Sequence, residues 1–184
     1  MNRRLIALAV LITAIPMLGC GRNDAARTDA RQSAVSQDAA QAKAALTAYI
    51  VDFWTRGDTT ALARALSPKM VYNYNGGTLP GAPADHLKYL NDFRRAFPDL
   101  VGTIDQFTFA DGIGGAVTTW SGTHAGELAG IPATGNKPIP PTGRKLSWPV
   151  NYVFRIEGGK IVELWEAWDE ANTYLKLTTS PRGK

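Results

Sequence analysis

The hydrophobic period of this chain changes at Pro98, and that change most limits the folds open to it. Before Pro98, apolar side chains recur at helical spacing: Leu46, Ile50 and Phe53/Trp54, then Leu62 and Leu66, then Leu87, Leu90, Phe93 and Phe97. Gly57 closes the first helix and Asp58 caps the second. Ser67-Pro68 ends the second, and a third runs from about Ala84 to Ala96. A short strand, Met70 to Tyr74, and a Gly/Pro loop lie between them. After Pro98 the period is two. Leu100–Phe109, Ala116–His124, Arg144–Glu157 and Lys160–Asp169 read as strands, and Ala171–Leu177 as a short closing helix. Helices first and antiparallel strands second predict an α+β domain with helices packed on one face of a sheet.

The N-terminus reads as an export signal. Arg3 and Arg4 precede an apolar run, Leu5 to Leu18, that ends in Met17-Leu18-Gly19-Cys20. The run suits a signal peptide better than a membrane span. It resembles the lipobox of bacterial lipoproteins, in which the Cys becomes the lipidated first residue. Cys20 is the chain's single cysteine, so it has no intrachain partner. The reading is therefore a signal peptide over 1–19, a lipidated Cys20 with a flexible tether to residue 41, a domain over 42–178 and a tail over 179–184. It places the protein in the bacterial cell envelope, with the outer membrane or periplasmic face favoured. Dual acylation would make the anchor stable.

The formal net charge of +4 includes Arg3 and Arg4, so the processed chain carries 18 basic against 16 acidic residues. A balance so even and scattered does not point to nucleic acid. With His86, His124 and no cysteine cluster, a metal site has no support, and neither a phosphate-binding loop nor a dinucleotide fingerprint is present. No metal or organic cofactor is expected.

The last hairpin carries the chemistry. If Gly158 and Gly159 are its two loop residues, Phe154 faces Glu163, Tyr152 faces Trp165, Val150 faces Ala167 and Trp148 faces Asp169. One face then holds Trp148, Val150, Tyr152, Phe154, Ile156, Ile161, Glu163, Trp165, Ala167 and Asp169, almost wholly apolar and aromatic. An acid among Trp and Tyr is costly to ionise, and a raised pKa suits a general acid or base. Asp169 is the candidate; the competing reading is that it caps the helix that follows. Glu163 fits a salt bridge at the hairpin edge. His124 shares parity with Trp120 on the neighbouring strand, as a second catalytic candidate or as a hydrogen-bonded structural residue. Trp148, Tyr152, Trp165, Trp120 and Asn73 are the expected pocket-shaping residues.

Several segments together resemble the SnoaL-like polyketide cyclase and ester cyclase family. They are Phe97-Pro98-Asp99-Leu100, Gly122-Thr123-His124-Ala125-Gly126-Glu127, Pro140-Pro141-Thr142-Gly143-Arg144-Lys145, and Arg155 with Gly159-Lys160-Ile161-Val162-Glu163 and Trp165 to Asp169. The resemblance covers about Ala42 to Leu177. It implies a cone-shaped α+β barrel of the nuclear transport factor type: three N-terminal helices on a curved antiparallel sheet around an apolar pocket, often in homodimers. It also implies a cofactor-free intramolecular aldol closure or related isomerisation of a small apolar carbonyl compound, with the family's catalytic Asp falling on Asp169. The chain departs from the family pattern in an extended loop, where Gly130-Ile131-Pro132-Ala133-Thr134-Gly135 is followed by Ile139-Pro140-Pro141-Thr142-Gly143. Export and lipidation point instead to a second reading, an envelope lipoprotein that binds a hydrophobic ligand or partner through the same pocket without chemistry.

Overall fold

The computed structural model describes residues 21–130 and 134–179. The expected signal peptide, Cys20, most of the tail and residues 131–133 of the extended loop lie outside them. By contacts the chain divides at Ala34/Val35 into a small N-terminal unit and a large C-terminal one. The described part of the small unit is helical and belongs to helix α1, Gly21–Thr47. The segment expected to be a tether is thus helical. Its Ala, Gln and Arg content supports a helix at low cost, although its side chains from residue 26 to 38 stay exposed.

From Thr47 the helix continues as a wider π-type segment, Ala48–Thr55, which buries Tyr49, Ile50, Phe53 and Trp54. Arg94 closes its far end by donating to the carbonyls of Trp54, at 3.0 Å, and Thr55. Helix α2 is short, Ala61–Ala65, and strand β1 begins at once, Leu66–Tyr74. Ser67-Pro68 therefore lies inside an extended strand rather than ending a helix. Strand β2 is Gly77–Leu79 and helix α3 is Pro83–Ala96. Strands β3 (Val101–Ala110), β4 (Ile113–Thr123), β5 (Lys145–Glu157) and β6 (Lys160–Ala167) follow, then helix α4, Glu170–Thr178.

The six strands form one open, curved sheet in the order β2-β1-β6-β5-β4-β3. It is the α+β arrangement expected from the period change, curved into the cone that the family resemblance implies. All pairs are antiparallel except β1 with β6, which run parallel because the chain crosses the whole sheet between them. The concave face buries Ala116, Thr118 and Trp120 of β4 and Trp148, Val150, Tyr152 and Phe154 of β5. The alternation expected for these two strands holds, and their register is uninterrupted from Ile113↔Arg155 to Thr123↔Lys145.

The last hairpin departs from perfect alternation. Glu157 pairs with Lys160 and Ile156 with Ile161, as two loop glycines require. The register then slips, so that Arg155 pairs with Glu163, Phe154 with Leu164 and Tyr152 with Glu166. Val162 is the extra residue of a β-bulge, and a one-residue bulge reverses the facing of everything after it. Leu164 and Glu166 thus turn inward. Glu163 and Trp165 turn outward, contrary to the pairing expected from unbroken alternation.

Candidate functional site

The concave face and the helices enclose a cavity of about 230 Å³. Its walls are aromatic: Trp54, Tyr72, Tyr74, Tyr89, Phe93, Trp120, Trp148, Tyr152, Trp168 and Tyr174 all line it. The rings brace one another. Trp54 meets Trp120 edge-on at 5.8 Å between centroids, Trp148 lies 5.9 Å from Trp168, and Trp168 lies 6.2 Å from Tyr174. The Trp120 indole is fixed by a 2.9 Å bond from Nε1 to Thr118 Oγ1, and that hydroxyl donates to the Val150 carbonyl at 2.9 Å.

Glu166 is the acid set deepest in this wall. Tyr72 donates to its Oε2 at 2.8 Å, and the Tyr152 hydroxyl also bonds to the carboxylate. The surface that Glu166 leaves uncovered opens into the cavity. Burial therefore dominates its ionisation and pushes its pKa up to about 7, against the two phenol hydrogen bonds that favour the charged form. The nearby Glu170 charge adds to the upward push. Glu170 accepts from Tyr74 at 2.9 Å, and the Tyr74 hydroxyl in turn accepts from Trp168 Nε1 at 2.9 Å. Two acids four residues apart are thus each held by a tyrosine of β1.

The structure brings together only part of the expected site. Trp148, Tyr152 and Trp120 line the cavity. Asp169 does not: it is exposed, and its Oδ1 accepts from the Asn172 backbone N–H at 3.0 Å as the N-cap of α4. The competing cap reading is the one the geometry supports, because the bulge at Val162 leaves the strand one residue out of phase. Trp165, 38% exposed, and Asn73, whose amide reaches Glu163 at 3.5 Å, lie on the opposite face and are corrected with it. Glu163 makes the salt bridge expected of it, 2.5 Å from Arg155. His124 does face inward as its parity predicts, but it packs 5.3 Å from the Phe97 ring and its Nδ1 lies 3.1 Å from Thr142 Oγ1. It is fully buried and does not line the cavity, so a catalytic role does not fit.

Glu166, Tyr72, Tyr74 and Trp168 are the site residues that strand parity missed, and Trp54 joins them from the π-type segment. A signal existed: Met70, Tyr72 and Tyr74 alternate on β1, and Leu164, Glu166 and Trp168 form a matching alternating set once one residue is skipped.

The extended loop contributes Glu127, Leu128 and Ala129 to the cavity wall. It is tied across itself by the Leu128↔Ile139 bridge and to the end of α3 by Ala125 and Gly126 N–H bonds to the Ala96 carbonyl. A Cβ at Gly126 would sit 2.0 Å from the Arg95 carbonyl oxygen, so only glycine allows this approach. Among the described residues no group of three or more His, Cys, Asp or Glu is placed to hold a metal ion, and no helix is long and apolar enough to cross a membrane.

Comparison with known proteins agrees with this fold. The SnoaL-like polyketide cyclase family model matches residues 43–177. AclR from Streptomyces galilaeus is similar in structure, with a TM-score of 0.64 and 26% identity over 78% of this chain and 99% of its own. A SnoaL-like protein from Jannaschia sp. CCS1 gives a TM-score of 0.66 at 14% identity, covering 77% and 94%. IdmH from Streptomyces antibioticus gives 0.63 at 21%, covering 76% and 99%. No match was found among curated proteins.

Proposed function

The chain belongs to the SnoaL-like polyketide cyclase family, and from that premise we propose that it carries out cofactor-free acid/base chemistry on a small carbonyl compound, with Glu166 as the proton carrier. One observation carries this reading: a carboxylate set in an aromatic cavity, held by Tyr72 and Tyr152, with its pKa pushed up to about 7. A carboxylate in that range is matched to proton transfer near neutrality.

The ionised Glu166 takes a proton from the carbon next to a carbonyl. The C–H electron pair passes into the enolate, and the proton stays on a Glu166 oxygen. In an aldol-type closure the enolate carbon attacks a second carbonyl of the same molecule, and Glu166 returns its proton to the alkoxide formed. In an isomerisation the proton returns to a different carbon. The aromatic walls hold the folded substrate in register, which favours the intramolecular step. The cavity of about 230 Å³ is smaller than the roughly 300–1,000 Å³ of common ligand sites, so the substrate is a compact one.

The test is proton exchange at the α-carbon of small cyclic ketones in D2O, followed by NMR. Exchange should rise with pH through about 7, following Glu166, and fall at least about a hundredfold in Glu166→Gln. Unchanged exchange in that variant would refute the assignment.

Lipid attachment at Cys20 and an envelope location are also proposed, supported by the arrangement of residues 1–20. Metabolic labelling with a fatty acid, lost in Cys20→Ser, tests them. A homodimer is proposed through the convex face of the sheet. Val71, Val153 and Trp165 are all exposed there on adjacent strands, and Val153 pairs directly with Trp165. Light scattering on the wild type and Trp165→Glu tests it.

A further inference from the structure

Among the described residues, Glu166 has hydrogen-bond donors but no cation beside it. Tyr72 and Tyr74 reach toward it from β1, Tyr152 from β5, Tyr49 from the π-type segment and Glu170 from α4. Each is a phenol or a second acid. Among the described residues that line the cavity, Arg95 is the one cation. It is bound to Asp92 at 2.6 Å and lies mostly in solvent, and Glu127 also lines this part of the cavity. His86 sits behind the tyrosines, its ring 5.0 Å from Tyr72 and its Nδ1 3.1 Å from the Tyr49 hydroxyl, but burial holds it neutral, with a pKa down to about 4. With Arg95 already paired to Asp92, no described residue around Glu166 is free to balance an anionic ligand, whose charge would be repelled by the carboxylate. Its fixed groups suit the opposite sign. Aromatic faces attract cations through their quadrupoles, most strongly when water is excluded.

We propose that the cavity takes a small organic cation, an alkylated or quaternary ammonium, seated between Glu166 and the aromatic wall of Trp148, Trp168 and Tyr174. An alkylated nitrogen is favoured over a bare ammonium because it needs few acceptors, and the Tyr72 and Tyr74 hydroxyls are already engaged. The proposal rests on the acid/base reading of the same site and narrows it. A cationic nitrogen close to the carbonyl would keep Glu166 ionised at pH values where it is otherwise protonated, and would acidify the neighbouring C–H bond.

Choline and its uncharged isostere 3,3-dimethylbutan-1-ol are the probes, titrated calorimetrically into the full chain. At pH 8 choline should bind at least about tenfold more tightly than the alcohol, and the preference should fall below about threefold in Glu166→Gln. At pH 6, choline binding to the wild type should release a proton as Glu166 ionises, seen as a dependence of the heat on buffer ionisation; at pH 9 no proton should be released. The proton count needs no variant and stands if Glu166→Gln folds poorly. Equal affinities, no binding of either probe, or choline binding without proton release at pH 6 would overturn the proposal. Absence of the cation preference in the wild type, with ketone exchange still dependent on Glu166, would remove the ligand class alone. Choline binding with exchange unaffected by Glu166→Gln would remove the acid/base reading alone.

Discussion

Tyr72 and Glu166 are joined by a 2.8 Å hydrogen bond between two parallel strands at the floor of an aromatic cavity. The phenol donates, so the bond favours the charged carboxylate and opposes the burial that raises its pKa. Tyr72→Phe removes one of two such donors. The Glu166 pKa should rise by roughly one unit, the scale of a hydrogen bond to a charged group. Carboxyl-carbon NMR on the wild type and the variant measures it. A fall would mean that the phenol instead stabilises the protonated acid.

Glu166 also couples stability to pH. Its folded pKa of about 7 lies above the ordinary glutamate value of 4.5, so between those values the folded state holds the proton more tightly than the unfolded chain. The group therefore stabilises the fold at low pH relative to high pH, and that contribution is lost as pH rises from about 4.5 through 7. The full span is at most about 3.5 kcal/mol. Glu166→Gln removes the effect. Urea unfolding at pH 4, 6 and 8 should show the variant gaining on the wild type as pH rises, with the gap widest at pH 8. A constant difference would contradict the raised pKa.

Asp169 gives the opposite test. Its carboxylate caps α4 from outside the cavity. Asparagine caps nearly as well, so Asp169→Asn should change stability little, whereas Asp169→Ala should cost about 1 kcal/mol. Both variants should leave ketone exchange within about twofold of wild type, since the chemistry is assigned to Glu166. A large loss in Asp169→Asn with stability intact would return the catalytic role to Asp169.

The fold was legible because it rests on periodicity, which a sequence displays directly. The change at Pro98 separates the helices from the strands, and β4 and β5 keep strict alternation, so Trp120, Trp148 and Tyr152 fell on the correct face. The family resemblance was carried by the same segments. The site was half legible. Buried aromatics announce a pocket, but the identity of its acid depends on one residue of phase at the end of β6. A bulge leaves no mark of its own in sequence when the residue it adds is a valine, as good a strand former as its neighbours. Ile161, Val162 and Leu164 fit either phase. Strand β1 showed which phase was right. Tyr72 and Tyr74 pair with Leu164 and Glu166, a long-range contact invisible to local pattern. The early part of β1 was hidden for a related reason: Ser67-Pro68 is a common helix stop, yet proline is tolerated near the start of a strand.

The bulge itself can be tested by removing it. Ile161 and Leu164 are both fully buried on one face of β6 although three residues apart, which only an extra residue between them permits. Deleting Val162 sets Glu163 directly after Ile161, so that Ile156 and Arg155 face them without a break and simple alternation returns with Leu164 and Glu166 still on the cavity face. The variant should therefore keep the carboxyl that titrates near 7, and its stability should fall by no more than roughly 2 kcal/mol. Carboxyl-carbon NMR and urea unfolding measure the two. Loss of that titration would mean that the deletion flips the end of β6 and that Val162 is not the extra residue that sets its phase.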